Sequence, residues 1–246
     1  MKKIKNKIIV ISIILVFILG AGFYNYLSDY YKAEPSAVEL MNKDQNISIV
    51  DDENMITFKP GNSSSDIGLV FYPGGKVEHL AYIPLMQKIA ERGYTCVLMK
   101  MPFNLAVFDI DAADRAFKEI AEVDFWYVGG HSLGGAMSSE FAQKNPEKIK
   151  GIILLGAYTS GDLSNTDLKL LSIYGSEDKI LNLEALEESK TKEPKDSRLQ
   201  IIKGGNHAYF GNYKEQKGDG IAYITNDEQQ NMTADMIAEF FEASNE

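Results

Sequence analysis

The residues best suited to chemistry lie in a glycine-rich segment near the middle of the chain. Ser132 stands in the pattern Gly130-x-Ser132-x-Gly134, between the strand-like run 125–128 and the helix-like stretch 133–143. Glycines two residues before and after the serine permit a sharp turn in which larger side chains would collide. The serine oxygen would then stand at a helix N-terminus, where the dipole favours developing negative charge. This arrangement predicts that Ser132 is a nucleophile.

The chain resembles the alpha/beta-hydrolase superfamily over about residues 45–243. The resemblance rests on Gly130-His131-Ser132-Leu133-Gly134-Gly135 and on the strand and helix around this segment. It implies a triad in the chain order serine, acid, histidine. Of the three histidines, His79 precedes the serine and His131 adjoins it, so His207, in a glycine-rich loop after a strand-like run, fits the order.

The same resemblance places the triad acid just past the strand before that histidine. The segment there is Gly175-Ser176-Glu177-Asp178-Lys179-Ile180, which is similar to the family's G-x-x-D-x-[VI] turn. Asp178 holds the acid position, and Glu177 is the alternative. The acid would accept the His207 ring N–H, fix its tautomer and stabilise the imidazolium that forms when Ser132 loses its proton.

A tetrahedral intermediate also needs backbone donors directed at its oxyanion. The resemblance implies one donor at the N–H of Leu133, the residue after the nucleophile. The other should come from the loop Tyr72-Pro73-Gly74-Gly75-Lys76, where the family usually has His-Gly-x and this chain has Pro73. Gly75 is the predicted donor and Lys76 the alternative, while the glycines of this loop would serve equally well as turn formers.

No convincing metal or cofactor site is found in the sequence. Three scattered histidines and the single Cys96, which lies in an apolar run and should be buried, lack metal-ligand spacing. The glycine pairs 129–130 and 134–135 flank a serine, and neither a phosphate-binding loop nor a dinucleotide fingerprint is present. We therefore expect chemistry without a metal or cofactor.

The elements that would position these residues alternate along the chain. Strands are predicted at 46–50, 55–59, 67–72, 95–100, 125–128, 151–155, 168–174 and 199–202, and helices at 82–92, 112–121, 133–143, 183–190 and 232–241. The first two strands should form a hairpin. This alternation predicts an α/β fold, with a mostly parallel sheet and helices on both faces. Ligands gather at the carboxyl ends of such strands.

The loops at that edge bear on the size of the site. Only residues 157–167 separate two late strands, too few for a cap domain. The site should therefore be open, with walls formed by 101–109 and 208–220. The first of these segments is apolar and suits either an acyl chain or core packing.

The N-terminus has the pattern of a membrane signal. Residues 1–7 contain four lysines, and 8–27 carry no formal charge. A helix of that length spans about 30 Å, the thickness of a bilayer's hydrocarbon core. Lysines should hold the near end in the cytoplasm, which predicts a signal anchor with an extracytoplasmic domain. A cleaved signal peptide is the alternative, because small residues at 20–22 offer a cleavage site.

These signals divide the chain and limit its partners. We expect a basic cytoplasmic end at 1–7, a transmembrane segment at 8–27, a polar linker at 28–45 and the α/β-hydrolase domain at 46–246.

The net charge is −10, and lysine and arginine cluster only in the first seven residues. A nucleic-acid partner is therefore not expected, because phosphate backbones require a positive surface.

The expected reaction is hydrolysis of a small-molecule or polymer-borne carboxylic ester. The chain most resembles the small cap-less hydrolases near dienelactone hydrolase, although these carry a cysteine where this chain has Ser132. An acyltransferase or a peptidase would use the same triad. A surface binding protein that keeps the fold without chemistry is the alternative from another class.

Overall fold

A computed structural model describes residues 2–42, 46–61 and 65–244. The chain divides into two units, Met1–Tyr30 and Tyr31–Glu246. The first contains the helix α1 (Lys2–Ser28). Within α1, Ile9–Tyr26 is long and apolar enough to cross a membrane, and its side chains are not buried. A signal sequence would pass the same test.

The second unit is built on an eight-stranded sheet. The strands are β1 (Ile47–Asp51), β2 (Met55–Pro60), β3 (Ile67–Tyr72), β4 (Thr95–Met99), β5 (Phe125–His131), β6 (Gly151–Leu155), β7 (Lys169–Gly175) and β8 (Asp196–Ile202). Their order is β1-β2-β4-β3-β5-β6-β7-β8. The predicted hairpin is confirmed, because β1 and β2 pair antiparallel, and β2 also pairs antiparallel with β4. All other pairs are parallel.

Helices cover both faces of this sheet, as the alternation predicted. They are α2 (Pro35–Glu39), α3 (Ile83–Glu91), α4 (Ala113–Glu119), α5 (Leu133–Lys144), α6 (Leu183–Ser189) and α7 (Asn226–Glu242). One apolar core contains residues of α3 and α7, and a second contains residues of α4 and α5. Residues 156–168, between β6 and β7, contain neither helix nor strand, so no cap domain is inserted there.

The structure differs from the predicted linker at 28–45. The second unit already begins at Tyr31, which forms a bridge with Val77. Helix α2 follows, and its Ala37 is fully buried. Residues 31–42 therefore belong to the folded unit, because their backbone pairs with the domain and Ala33, Leu40 and Met41 pack against its core. The last three residues of the predicted linker, 43–45, lie outside the described residues.

Helix α7 begins six residues before its predicted start at 232. Its first turns are polar and lack the apolar periodicity on which the prediction was based. A capping box starts the helix instead, in which Glu228 N–H donates to the Thr225 hydroxyl and the Glu228 carboxylate accepts from Thr225 N–H.

Candidate active site

Ser132 lies at the turn between β5 and α5. Its φ is 52° and its ψ is −120°, a strained conformation for a residue with a side chain. Ser132 N–H donates to the Leu155 carbonyl at 2.9 Å, which ties the turn to β6. A Cβ at Gly130 would lie 2.5 Å from the Gly134 carbonyl carbon. The glycine spacing is therefore needed for this turn, and the strain is held by the strand and helix on either side.

His207 and Asp178 are brought together in the interior, each less than a tenth exposed. His207 Nδ1 lies 2.8 Å from Asp178 Oδ2. The other carboxylate oxygen, Oδ1, accepts the N–H groups of Ile180 at 2.9 Å and Leu181 at 2.8 Å. These two bonds fix the carboxylate, so that Oδ2 faces the ring. The neighbouring Glu177 accepts a hydrogen bond from Ser176 at 2.9 Å, and the structure does not place it on His207.

The second ring nitrogen of His207 and the Ser132 side chain share a cavity. This cavity of about 280 Å³ is lined by both residues. His207 Nε2 is buried and makes no hydrogen bond within the described part of the chain. The bond from Ser132 Oγ to Nε2 that a working triad requires is thus not formed in this structure. The two groups line one space, with an unsatisfied nitrogen on the histidine.

The cavity walls differ from those predicted. Its lining comes from the loop after β6 (Gly156, Ala157, Tyr158) and the loop after β7 (Ile180, Leu181, Asn182), together with the start of α5. The predicted walls, 101–109 and 208–220, are not part of this lining. Segment 208–220 is absent from the lining in part because Ala208 and Phe210 are buried in the apolar core.

The backbone N–H groups of Leu133 and Gly75, the two predicted oxyanion donors, lie near each other and lack acceptors within the described residues. Leu133 is the first residue of α5, so its N–H has no acceptor within the helix. Gly75 lies against it, since a Cβ at Gly75 would be 2.7 Å from Leu133 Cδ2. Lys76 N–H donates to the Asn104 carbonyl at 2.8 Å, and Gly74 N–H donates to the Tyr82 hydroxyl at 3.0 Å. Gly75 N–H makes no hydrogen bond within the described residues, which favours Gly75 over Lys76.

Tyr82 and His131 form a buried pair beneath the site that the sequence did not reveal. The Tyr82 oxygen lies 2.7 Å from His131 Nδ1 and accepts Gly74 N–H. With that oxygen accepting from Gly74, the Tyr82 proton is directed at His131, which implies a neutral ring. Burial, followed by the nearby His207, lowers the pKa of His131 well below its usual value. The His131 and His207 ring centroids are 4.4 Å apart.

Among the polar side chains that hold the loop around His207, Asp219 and Gln229 bind the backbone next to the histidine, and sequence reasoning missed both. Asp219 accepts the N–H groups of Ala208 at 2.8 Å and His207 at 3.3 Å. Gln229 of α7 accepts Asn206 N–H at 2.9 Å and donates to the Asn206 carbonyl at 2.8 Å. Both lie beyond His207 in the chain without a recognisable motif, so only the folded structure reveals them.

Metal-binding side chains do not cluster in the described residues. Within those residues, no group of three or more histidine, cysteine, aspartate or glutamate side chains is placed to hold an ion. Cys96 is buried as predicted, and burial raises the pKa of its thiol. It therefore lacks the exposure and thiolate character of a reactive cysteine.

Comparisons with known proteins agree with this architecture. The model of the alpha/beta hydrolase family matches residues 68–231. A sequence search of the curated proteins found no match. Dienelactone hydrolase from Anabaena variabilis has a TM-score of 0.58 at 14% identity, over 81% of this chain and 99% of that chain. Est1E from Butyrivibrio proteoclasticus has a TM-score of 0.55 at 14% identity, over 81% and 99% respectively.

A third solved structure aligns over nearly the whole chain. It is a bacterial membrane phospholipase A, with a TM-score of 0.61 at 11% identity, over 97% of this chain and 99% of that chain. At such low identities, each of these three structures shows a shared fold and nothing about substrate.

Proposed function

The chain belongs to the alpha/beta hydrolase family, and on that premise we propose that it is a serine hydrolase that cleaves carboxylic esters. Ser132 is the nucleophile, His207 the general base and Asp178 the residue that orients the histidine. The observation that supports this best is the buried His207–Asp178 pair at 2.8 Å, with Ser132 on the strained turn lining the same cavity.

The proposed reaction proceeds through an acyl-enzyme. His207 Nε2 accepts the hydroxyl proton of Ser132 as Oγ attacks the ester carbonyl. Asp178 accepts the Nδ1–H and stabilises the imidazolium. The protonated ring then gives its proton to the departing alcohol. Water, activated by His207 in the same way, releases the carboxylic acid and restores Ser132.

The oxyanion of each tetrahedral intermediate is stabilised by the N–H groups of Leu133 and Gly75. Both are fixed by the backbone before substrate arrives, so they need no reorganisation at the moment of reaction. The N-terminus of α5 adds a favourable dipole at the same point. Removing one such donor costs about 10²- to 10³-fold in kcat in comparable enzymes.

Transfer to an acceptor other than water, or cleavage of an amide, would use the same residues. Hydrolysis is favoured because the cavity beside Ser132 is open at the surface and admits water, and no cap covers it. Comparing product formation with and without added alcohol or amine acceptors separates these activities. The presence of all three triad residue types at one site argues against the alternative that the chain is a binding protein without catalytic activity.

The experiment that tests the function is labelling of the full chain with a fluorophosphonate probe, together with hydrolysis of p-nitrophenyl acetate. Ser132→Ala should abolish both, because no other residue takes the place of the nucleophile. The matched control is Ser164→Ala, since the Ser164 hydroxyl donates to Asp162 at the surface and lies outside the cavity. Equal labelling of the Ser132 variant and the wild type would refute the assignment.

The helix α1 places this activity at a membrane in our proposal. We expect an uncleaved anchor, with the hydrolase unit outside the cytoplasm, because the lysines precede the apolar stretch. The full chain should sediment with membranes, and protease added to intact protoplasts should digest its domain. N-terminal sequencing of the native protein decides the alternative, since a mature chain that starts near Phe23 would mean that the enzyme is released.

A further inference from the structure

The segment that follows the apolar helix is joined to the loop that carries a proposed oxyanion donor. Helix α1 ends at Ser28, and Tyr31 already forms a parallel bridge with Val77. Tyr31 N–H donates to the Lys76 carbonyl at 2.7 Å, and Glu78 N–H donates to the Tyr31 carbonyl at 2.9 Å. Lys76 is the residue directly after the donor Gly75, so the folded unit begins beside this loop.

The same segment continues to the loop after His207. Ala33 forms an antiparallel bridge with Tyr213, and Glu34 N–H donates to the Asn212 carbonyl at 2.9 Å. The rings of Tyr31 and Tyr213 lie 5.6 Å apart. Two loops at the carboxyl edge of the sheet, one with an oxyanion donor and one with the base, thus hold the start of the folded unit.

Chain length limits how far this edge lies from a membrane that holds the helix. The apolar stretch ends at Tyr26, and Tyr31 is fixed in the folded unit. Five residues span about 17 Å at full extension, and less in the helical turn that they partly form. If the helix is anchored as proposed, the catalytic edge is tied within that distance of the bilayer surface.

An exposed apolar loop lies at this edge. Asn104, which accepts Lys76 N–H, belongs to the loop after β4 that also carries Phe103, Val107 and Phe108. These three apolar side chains are between 42% and 56% exposed. The Phe103 and Phe108 rings pack edge to face at 5.8 Å. Exposed aromatic side chains favour the membrane interface, where an apolar surface of this kind is covered by lipid.

We propose that the substrate is an acyl ester of a membrane lipid, in the leaflet to which the helix holds the domain, and that the loop 103–108 contacts this leaflet. The proposal rests on the proposed function, because it names the substrate of the same site. The bond from Ser132 Oγ to the lipid's acyl carbon forms first, and the acyl C–O bond breaks when the tetrahedral intermediate collapses. His207 protonates the departing glycerol oxygen, and water then releases the fatty acid.

The orientation is tested without catalysis, by fluorescence quenching in the full chain. Phe108→Trp and the control Leu199→Trp are each reconstituted into phosphatidylglycerol vesicles that contain brominated phosphatidylcholine. The two positions are comparable, because Phe108 is 53% exposed and Leu199, on the edge strand β8 five strands away from β4, is 43% exposed. Phe108→Trp should be quenched about twofold more than the wild type, whose Trp126 is buried. Leu199→Trp should match the wild type.

The substrate class is tested on vesicles of phosphatidylglycerol and diacylglycerol, by following fatty-acid release. The full chain should release fatty acid, and Ser132→Ala should not. Val107→Asp should reduce the release at least about fivefold, because a charge at the interface opposes contact with lipid. Leu199→Asp, which introduces the same charge at an equally exposed position on strand β8, should leave the release unchanged. Mass spectrometry of the sample verifies that the N-terminal helix is intact.

The outcomes separate the two proposals. Hydrolysis of p-nitrophenyl acetate without release of fatty acid from vesicles would overturn the lipid substrate and leave the proposed function standing. Equal quenching at positions 108 and 199, or a loop that is covered by a second copy of the chain in cross-linking, would overturn the membrane contact. Loss of activity on both substrates would refute the proposed function itself.

Discussion

Gly156 is the residue whose missing side chain lets the proposed base and its acid meet. It follows β6 with a φ of +52°, a conformation that disfavours side chains. A Cβ there would lie 2.9 Å from His207 Nδ1 and 3.2 Å from Asp178 Oδ2. A methyl group at this position would therefore force His207 or Asp178 to shift.

Gly156→Ala should accordingly reduce kcat/KM for p-nitrophenyl acetate by about 10²-fold, because a displaced catalytic group costs that much. The matched control is Gly218→Ala, which has a similar backbone strain at a φ of +92° but only Ile180 Cδ1 near its Cβ, at 3.7 Å. Both variants should lose comparable stability in urea unfolding. If Gly218→Ala loses as much activity as Gly156→Ala, backbone strain rather than contact with the histidine explains the effect.

The proposed triad residues could be predicted from local sequence patterns. Other residues at the site depend on tertiary contacts and could not be predicted. Ser132 lies in a pattern of glycines that one turn requires, and His207 and Asp178 followed from chain order. Gly156 carries no such signal, because only its contacts with residues distant in the sequence require a glycine at this position. The same holds for Tyr82, whose hydroxyl reaches Gly74 and His131 only after α3 has packed onto the sheet.

Helix α7 holds the histidine loop through two side chains, Asn226, which donates to the carbonyls of Tyr209 and Gly211, and Gln229. Gln229 is fully buried and makes two hydrogen bonds to the backbone of Asn206, the residue before His207. Such a bidentate bond fixes both the position and the rotation of the peptide unit. The helix therefore acts on the site through the backbone and touches none of the reacting groups.

Gln229→Met should keep the side-chain volume and remove both bonds. We expect kcat to fall about tenfold, with KM little changed, because the histidine is mispositioned while the cavity is retained. Gln87→Met is the control, since Gln87 of α3 is also buried and donates to the Leu40 carbonyl, away from the loop. An equal fall in kcat for both variants would mean that lost stability, and not loop position, is responsible.

The start of α7 also shows where periodicity stops being informative. The predicted helix began at residue 232, because Asn226–Asn231 are polar and carry no apolar stripe. Their helix is set by the capping box of Thr225 and Glu228, and by Gln229 and Gln230, which turn inward to polar partners. Segment 28–45 was predicted as a linker from scattered charged residues such as Lys32 and Glu34, although from Tyr31 onwards its backbone pairs with the domain.

Across the whole second unit, parallel strands collect the catalytic loops at one edge. Ser132 follows β5, Asp178 follows β7, and His207 follows β8, while Gly75 follows β3. Strand alternation predicted this common edge, since the carboxyl ends of parallel strands lie together. It did not predict that the entering chain would join this same edge, because two isolated β-bridges leave no pattern in the sequence.

His131 links the buried site to the stability of the whole unit. Its folded-state pKa lies well below the ordinary value of 6.5, through burial and then through His207. Above that value the ring is neutral in both the folded and the unfolded chain. Below it the unfolded chain binds a proton that the folded chain does not, so stability is lost as the pH falls, by up to about 1.4 kcal/mol per pH unit.

His131→Asn removes this titration and should make the loss of stability below pH 6.5 shallower, although its stability near pH 7.5 should be lower than that of the wild type. Urea unfolding of the full chain in detergent micelles measures the slope, with the single Trp126 reporting on the folded unit. His79→Asn is the control, because burial also lowers the pKa of His79 but leaves it partly accessible. In His79→Asn, the loss of stability below pH 6.5 should become only slightly shallower. An unchanged slope for His131→Asn would mean that the ring binds its proton in the folded state, and the neutral pair with Tyr82 would then be wrong.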